Sequence, residues 1–347
     1  MTRKNLKFGI FLSSFQSLKI DSAQTLSRDL QLICRLDKLG YDYVWIDEHY
    51  SENTAISESP DFFIAQASEH TQKIKFGVGI SSLCFHNPLT LANRILQLYN
   101  STGGRVALCM NPQTLTSDAA TMGLNVSLQK AKEQEAIDIL IALLQGERVN
   151  RRTDWFELVD AQLHFQDCQM NPIEMAVTSQ VSPSGMITAG KHGIGVISVG
   201  ATTPGGFNAL AANREIYERK AAENSKPTFC EDWSLVGPMH IAETKEDAIK
   251  DVRFGITEWV DYFKRVKGIF LVPDGSDPIA TLVENGLAVI GTPDDAIAQI
   301  RRLERESGGF GTFLQLAHNW ADWEKTKKTR KPRLFSSKMH IVNILKF

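Results

Sequence analysis

Short apolar or β-branched runs alternate with segments of helical period along almost the whole chain, and few folds tolerate that rhythm. The runs fall at 6–13, 42–47, 74–83, 105–110, 173–179, 195–200, 234–242 and 310–318. Between them apolar residues recur at helical spacing, most clearly over 21–39, 127–144, 204–222, 245–264 and 293–306. Strands that are apolar along their whole length are covered on both faces, as in a parallel sheet under crossover helices. A set of about eight such strands is what closes, so the expected architecture is α/β, a single (β/α)₈ TIM barrel over residues 1–328.

Local chemistry marks some of the boundaries. Thr292-Pro293-Asp294-Asp295 reads as an N-cap, a proline at the first helical position and acids in the first turn, and Gly308-Gly309 stops that helix. Two stretches, 146–170 and 268–291, exceed ordinary connections, and long insertions in a compact barrel are lids, binding segments or surface decoration.

Composition narrows the class of partner. Of 347 residues, 43% are hydrophobic and 22% charged, enough to bury a core and keep a wet surface. The net charge of −2 argues against nucleic acid, which needs a basic face. Five scattered cysteines, Cys34, Cys84, Cys109, Cys168 and Cys230, with no CxxC spacing suggest neither a disulfide framework nor zinc. No stretch approaches the roughly 18 apolar residues of a membrane span. The apolar run after Arg3, Lys4 and Lys7 is too short for a signal peptide, so the expected location is the cytoplasm. Residues 329–347 form an atypical basic tail, read as a solvated terminus.

In such barrels the chemistry sits at the carboxyl ends of the strands. The second strand ends in Asp47-Glu48-His49-Tyr50, where His49 can serve as acid or base near neutral pH and the Glu48 carboxylate can fix its tautomer; a structural histidine is the other reading. The third ends in Cys84-Phe85-His86-Asn87-Pro88, where His86 reads as a turn organiser, and the fourth in Cys109-Met110-Asn111-Pro112-Gln113. The fifth ends in Thr178-Ser179 and leads to Ser182-Pro183-Ser184-Gly185, either an anion site at a helix N-terminus or an ordinary N-cap. His240 reads as a wall residue, and His70, His164, His192 and His340 have no partner evident in the sequence. No HxH, HExxH or Asp/Glu spacing supports a metal site.

Taken together, Lys7-Phe8-Gly9-Ile10-Phe11, Gly40-Tyr41-Asp42-Tyr43-Val44-Trp45 with Glu48-His49, Ser59-Pro60-Asp61, Gly103-Gly104-Arg105 and the stretch 176–190 resemble the bacterial-luciferase-like flavin monooxygenases. Asp154-Trp155-Phe156-Glu157-Leu158, Val236-Gly237-Pro238-Met239-His240, Ile290-Gly291-Thr292-Pro293 and His318-Asn319-Trp320-Ala321-Asp322-Trp323-Glu324 are similar to the limonene-monooxygenase-like branch, so the resemblance covers roughly residues 5–328. It implies reduced FMN, supplied by a separate NAD(P)H-dependent flavin reductase acting as a transient partner. Reacting with O₂, that flavin oxygenates a small or medium apolar molecule of terpene, ketone or aldehyde type. It also implies catalytic His49 with Glu48 beside it, and a flavin site at Thr178, Ser179, Ser182, Ser184, Gly185 and Asn111. The family tendency is a dimer, a homodimer or a heterodimer with a paralogue.

The chain departs from the family at several positions. Tyr50 stands in place of a second histidine, and Cys109, Asn111 and Gln113 occupy positions where relatives place glycines against the flavin. Side chains there are expected to crowd the ring system. That leaves a second reading, a non-catalytic or degenerate barrel acting as a partner subunit, and a third, deazaflavin-dependent hydride transfer. After Lys328 the family pattern stops, as a frameshifted terminus would make it.

Overall fold

A computed structural model describes residues 6–12, 15, 21–51, 59–111, 116–164, 172–228, 230–265 and 268–329. Gln113, Cys168, His340 and the basic tail beyond 329 lie outside those residues. The strands in chain order are β1 (Lys7–Leu12), β2 (Tyr43–Ile46), β3 (Lys75–Ser81), β4 (Val106–Met110), β5 (Val149–Arg152), β6 (Glu157–Ala161), β7 (Glu174–Ser179), β8 (Gly195–Ser198), β9 (Trp233–Ile241), β10 (Val289–Gly291) and β11 (Thr312–Leu316). Eight of them pair in parallel in the order β1-β2-β3-β4-β7-β8-β9-β11, and β11 returns to β1, which closes the barrel.

Alternation along each strand sorts side chains into two shells. Val44, Ile46, Phe76, Val78, Leu108, Met110, Val177 and Val196 belong to the outer core shared with the helices. Phe11, Tyr43, Trp45, Ala107, Cys109, Ala176, Ile197, Val236 and Leu314 fill the interior. The filling depends on bare backbone at one point: a Cβ on Gly77 would lie 2.0 Å from Cε3 of Trp45, so the indole occupies the volume any other residue there would need.

The helices are α1 (Ser22–Leu39), α2 (Pro60–Ser68), α3 (Pro88–Ser101), α4 (Thr116–Thr121), α5 (Val126–Leu144), α6 (Ser184–His192), α7 (Pro204–Glu223), α8 (Lys245–Val252), α9 (Ile256–Arg265), α10 (Pro278–Glu284), α11 (Pro293–Ser307) and α12 (Trp323–Thr329). α11 begins where the sequence requires: the Thr292 backbone N–H and hydroxyl both donate to Asp295 at 2.8 Å, and Gly308 ends it in the left-handed conformation with φ 70°.

Three features differ from the sequence reading. The continuous helix expected over 245–264 is broken between α8 and α9, because Gly255 turns its N–H to Trp320 O at 2.9 Å and sits where a Cβ would lie 2.0 Å from Asn319 O. The stretch 146–170 contains the antiparallel hairpin β5–β6, whose first strand is mostly exposed and polar and so carries no alternating signal. The hairpin lies against α5, where Arg151 and Trp155 both reach Glu135. The stretch 268–291 contains α10 and β10, and it is this one that borders the carboxyl ends of the strands.

β10 pairs with the last part of β9, Met239–Ile241, while the earlier part, Ser234–Pro238, pairs with β11. At the point of divergence Met239 O accepts from two side chains, Gln315 Nε2 at 2.7 Å and His318 Nε2 at 2.9 Å. A backbone acceptor where the β11 ladder ends is thereby satisfied.

Candidate active site

The end of β2 carries a histidine between two carboxylates. His49 Nε2 lies 3.0 Å from Asp47 Oδ2, and Nδ1 lies 2.8 Å from Asp118 Oδ2 on α4. The other Asp118 oxygen accepts from the backbone N–H groups of Tyr50 and Ser51 and from the Ser51 hydroxyl, at 3.1, 2.9 and 2.6 Å. Asp118 is fully buried. Burial alone would raise its pKa, but the hydrogen bonds from His49 and Ser51, the His49 charge and the Tyr50 N–H outweigh it and bring the pKa down to about 2.

Glu48 does not orient His49, contrary to the sequence reading. Its Oε1 accepts from the Tyr50 hydroxyl at 2.5 Å and lies 3.0 Å from His86 Nε2. Alternation explains the swap: Asp47 faces into the mouth where His49 can reach it, and Glu48 points to the opposite side, toward the turn after β3. Burial and the neighbouring Glu48 together push the Tyr50 phenol well above its ordinary range. The His86 backbone N–H closes the turn onto Leu83 O at 3.0 Å while its ring turns to Glu48, and Asn87 caps α3 by accepting from Leu89 N at 3.0 Å and Thr90 N at 3.3 Å.

Asn111 and Thr178 meet across β4 and β7, with the Thr178 hydroxyl donating to Asn111 Oδ1 at 2.8 Å. Asn111 therefore lies against the wall of the mouth. Cys109, one inward position lower, is fully buried among Phe11, Trp45, Ala107 and Ala176, and burial followed by the Asp47 charge pushes its thiol up. The expectation that Cys109 crowds a ligand is corrected on that ground: it is core, and a glycine there would open a void rather than make room at the surface.

Beyond β7 the chain turns sharply into α6. The Ser179 hydroxyl donates to Ser182 O at 3.2 Å, and the Ser182 hydroxyl donates to Ser184 Oγ at 3.3 Å. Gly185 is pressed so closely on the strand end that a Cβ would fall 1.9 Å from Thr178 O. Only glycine lets the first turn of α6 sit there, with its N–H groups and the hydroxyls of Ser182 and Ser184 around one spot. No acidic residue occurs from 178 to 185. At the end of β3, the buried Ser81 hydroxyl has no hydrogen-bond partner among the described residues. A phosphate-bearing flavin suits this donor set: neutral hydroxyls and backbone N–H groups for the phosphate, and an uncommitted hydroxyl at the mouth for a polar ring edge.

The opposite side of the mouth is aromatic. His318 stacks on Trp320 at 4.0 Å between centroids, Trp320 meets Trp259 edge-on at 4.9 Å, and Tyr262 lies 5.1 Å from Phe15. His240 is buried in this wall, with Nε2 3.3 Å from Asp251. His192, without an evident partner in the sequence, lies 2.8 Å from Asp138. A separate groove of about 520 Å³ runs between α8, α10 and α11, lined by residues such as Ile249, Ile279, Val283 and Arg302, and none of the candidate residues borders it. Among the described residues no group of side chains could hold a metal ion, no cysteine is disulfide-bonded, and no helix is long and apolar enough to cross a membrane.

Sequence reasoning missed Asp47 as a partner and missed Asp118 altogether. Asp47 was visible beside His49. Asp118 is 69 residues away in a six-residue helix with no distinguishing pattern.

The model of the luciferase-like monooxygenases matches residues 6–310. Limonene 1,2-monooxygenase of Rhodococcus erythropolis is 41% identical over 315 residues, 90% of this chain and 81% of that protein. Monooxygenase RslO1 of Streptomyces bottropensis superposes with a TM-score of 0.83 at 21% identity, covering 97% of this chain and 100% of that one. The oxygenating constituent of 3,6-diketocamphane monooxygenase of Pseudomonas putida, a type II Baeyer-Villiger enzyme solved with FMN, gives 0.76 at 20% identity over 97% and 96% of the two chains. A weaker relative, 23% identical over 82% of this chain and 87% of its own, is an F420-dependent glucose-6-phosphate dehydrogenase of Amycolatopsis mediterranei.

Proposed function

The chain belongs to the luciferase-like monooxygenase family, and from that premise we propose that it uses reduced FMN and O₂ to oxygenate a small or medium apolar molecule of terpene, ketone or aldehyde type. A separate NAD(P)H-dependent reductase supplies the flavin, and the working unit is a dimer in the cytoplasm. The observation that carries the reading is the seating of Gly185 on Thr178 O, which puts the hydroxyls of Ser182 and Ser184 and the first N–H groups of α6 at the end of β7, across the mouth from His49.

When bound, the reduced flavin activates O₂ for transfer of one oxygen atom, and everything else falls to the protein. Ser182, Ser184 and the turn at Gly185 hold the phosphate, while Thr178 keeps Asn111 against the wall so that its amide borders the ring system without filling the mouth. His49 holds a proton at the site between Asp47 and Asp118, and Glu48 keeps Tyr50 and His86 in place behind it. The aromatic wall of Trp259, Tyr262 and Trp320 excludes water from an apolar substrate.

FMN titration followed by flavin fluorescence tests the reading. The double variant Ser182→Ala with Ser184→Ala is expected to weaken FMN binding about tenfold, roughly 1.4 kcal/mol, and to leave riboflavin binding unchanged. Equal losses for both ligands would remove the phosphate role, and tight F420 binding without FMN binding would favour hydride transfer.

A further inference from the structure

We propose that His49 is a clamped imidazolium, doubly protonated by its placement between Asp47 and Asp118, and that Asp118 is the positioning residue that denies it the role of a base. An ionised carboxylate only accepts hydrogen bonds. Both ring nitrogens face carboxylate oxygens, at 2.8 and 3.0 Å, so each must carry a proton; a neutral ring would turn a lone pair against one of the two anions. Moving the proton to Asp118 is opposed by the three donors that converge on its other oxygen. Moving it to Asp47 is opposed by the Glu48 backbone N–H, which donates to Asp47 Oδ1 at 3.1 Å.

The other ionisable groups on this side of the mouth, among the described residues, are engaged elsewhere or neutral. β2 contributes Glu48, engaged with Tyr50 and His86. β4 contributes the Cys109 thiol, kept neutral by burial. α5 contributes Glu133, which accepts Leu83 N–H at 2.9 Å. Beyond Tyr50 lie Asp61 and Arg94, paired with each other at 2.6 Å. At neutral pH the clamped ring has no lone pair with which to take a proton, and its charge is balanced by the two carboxylates that hold it. The use made of the charge rests on the monooxygenase reading. The charge itself is a property of this chain.

The two parts are separable by experiment. Nitrogen NMR of the flavin-free protein labelled at histidine, with His49 assigned from its loss in His49→Gln, is expected to show imidazolium at both nitrogens from about pH 6 to about pH 8.5, where an ordinary histidine titrates near 6.5. In Asp118→Asn the amide oxygen keeps its three donors, so the amide N–H turns toward Nδ1 and the ring becomes the neutral Nε2–H tautomer at pH near 7. A wild-type ring that loses a proton near its ordinary value overturns the proposal, and so does a variant ring still doubly protonated. If the variant does not fold, the wild-type spectrum decides alone. Neither measurement contains flavin, so a protein that fails to bind FMN can still carry the clamp, and one that binds it can still lack the clamp.

Discussion

On the β2–β4 side of the barrel mouth, Asp47, Glu48, His49, His86 and Asp118 are joined by close contacts between imidazole and carboxylate, whereas on the β9–β11 side Trp259 and Trp320 are buried with indole N–H groups that have no hydrogen-bond partner among the described residues. The first region is organised by charge and the second by volume. Charge needs few residues and tight distances, so one proton more or less changes it. Volume needs many atoms in contact, so it yields only when a ring is removed.

That contrast can be broken in three ways. The largest effect expected is on the aromatic side: Trp259→Ala removes a ring packed on Trp320 and Phe263 and should lower stability by about 3–5 kcal/mol in urea denaturation. A loss below about 1 kcal/mol would mean that the wall is not held by packing. On the polar side, His49→Ala should cut turnover of an apolar substrate by about 10²-fold, roughly 2.7 kcal/mol of transition-state stabilisation, with the far-UV circular dichroism of the wild type retained. Wild-type turnover would reduce His49 to a structural part. The smallest effect concerns acid. Asp118 and Asp138 have folded-state pKa values lowered to about 2 from 3.8, so each contributes fully above pH 3.8 and loses its contribution as pH falls toward 2. Asp138 is partly exposed, which weakens its share. Stability measured between about pH 5 and pH 2 should therefore fall, and less steeply in Asp118→Asn, while Trp259→Phe should follow the wild-type slope. Parallel slopes for all three proteins would erase the distinction between the two sides.

How far this was legible follows the same division. All the barrel strands could be read because inward and outward positions are both apolar, and α11 could be read because Thr292, Pro293 and Asp295 act within one turn. His49 was found by its place at a strand end. Asp118 was not, since nothing in six residues of helix says that they fold back over β2. The break at Gly255 depends on Asn319 and Trp320, more than sixty residues downstream, and periodicity cannot see so distant a partner. The short β10 and the exposed β5 lacked enough alternating positions to register. Cys109 shows the opposite failure: its motif position was read correctly, but a place in a motif does not say how deep in the barrel a side chain lies.

The fork in β9 has a consequence of a different kind. Of the described residues in 242–291, only the three of β10 enter the sheet, laid on Met239–Ile241, while closure of the barrel is completed by the pairing of β9 with β8 and β11. The segment is thus tied to the sheet at one short strand and to the interior by packing, through Trp259, Tyr262 and Ile290. The seam at Met239 O is fastened by Gln315 and His318, which belong to the frame rather than to the segment. One side of the mouth is therefore joined to the frame by side-chain packing, and the other, where Asp47 and His49 follow directly on β2, by the backbone.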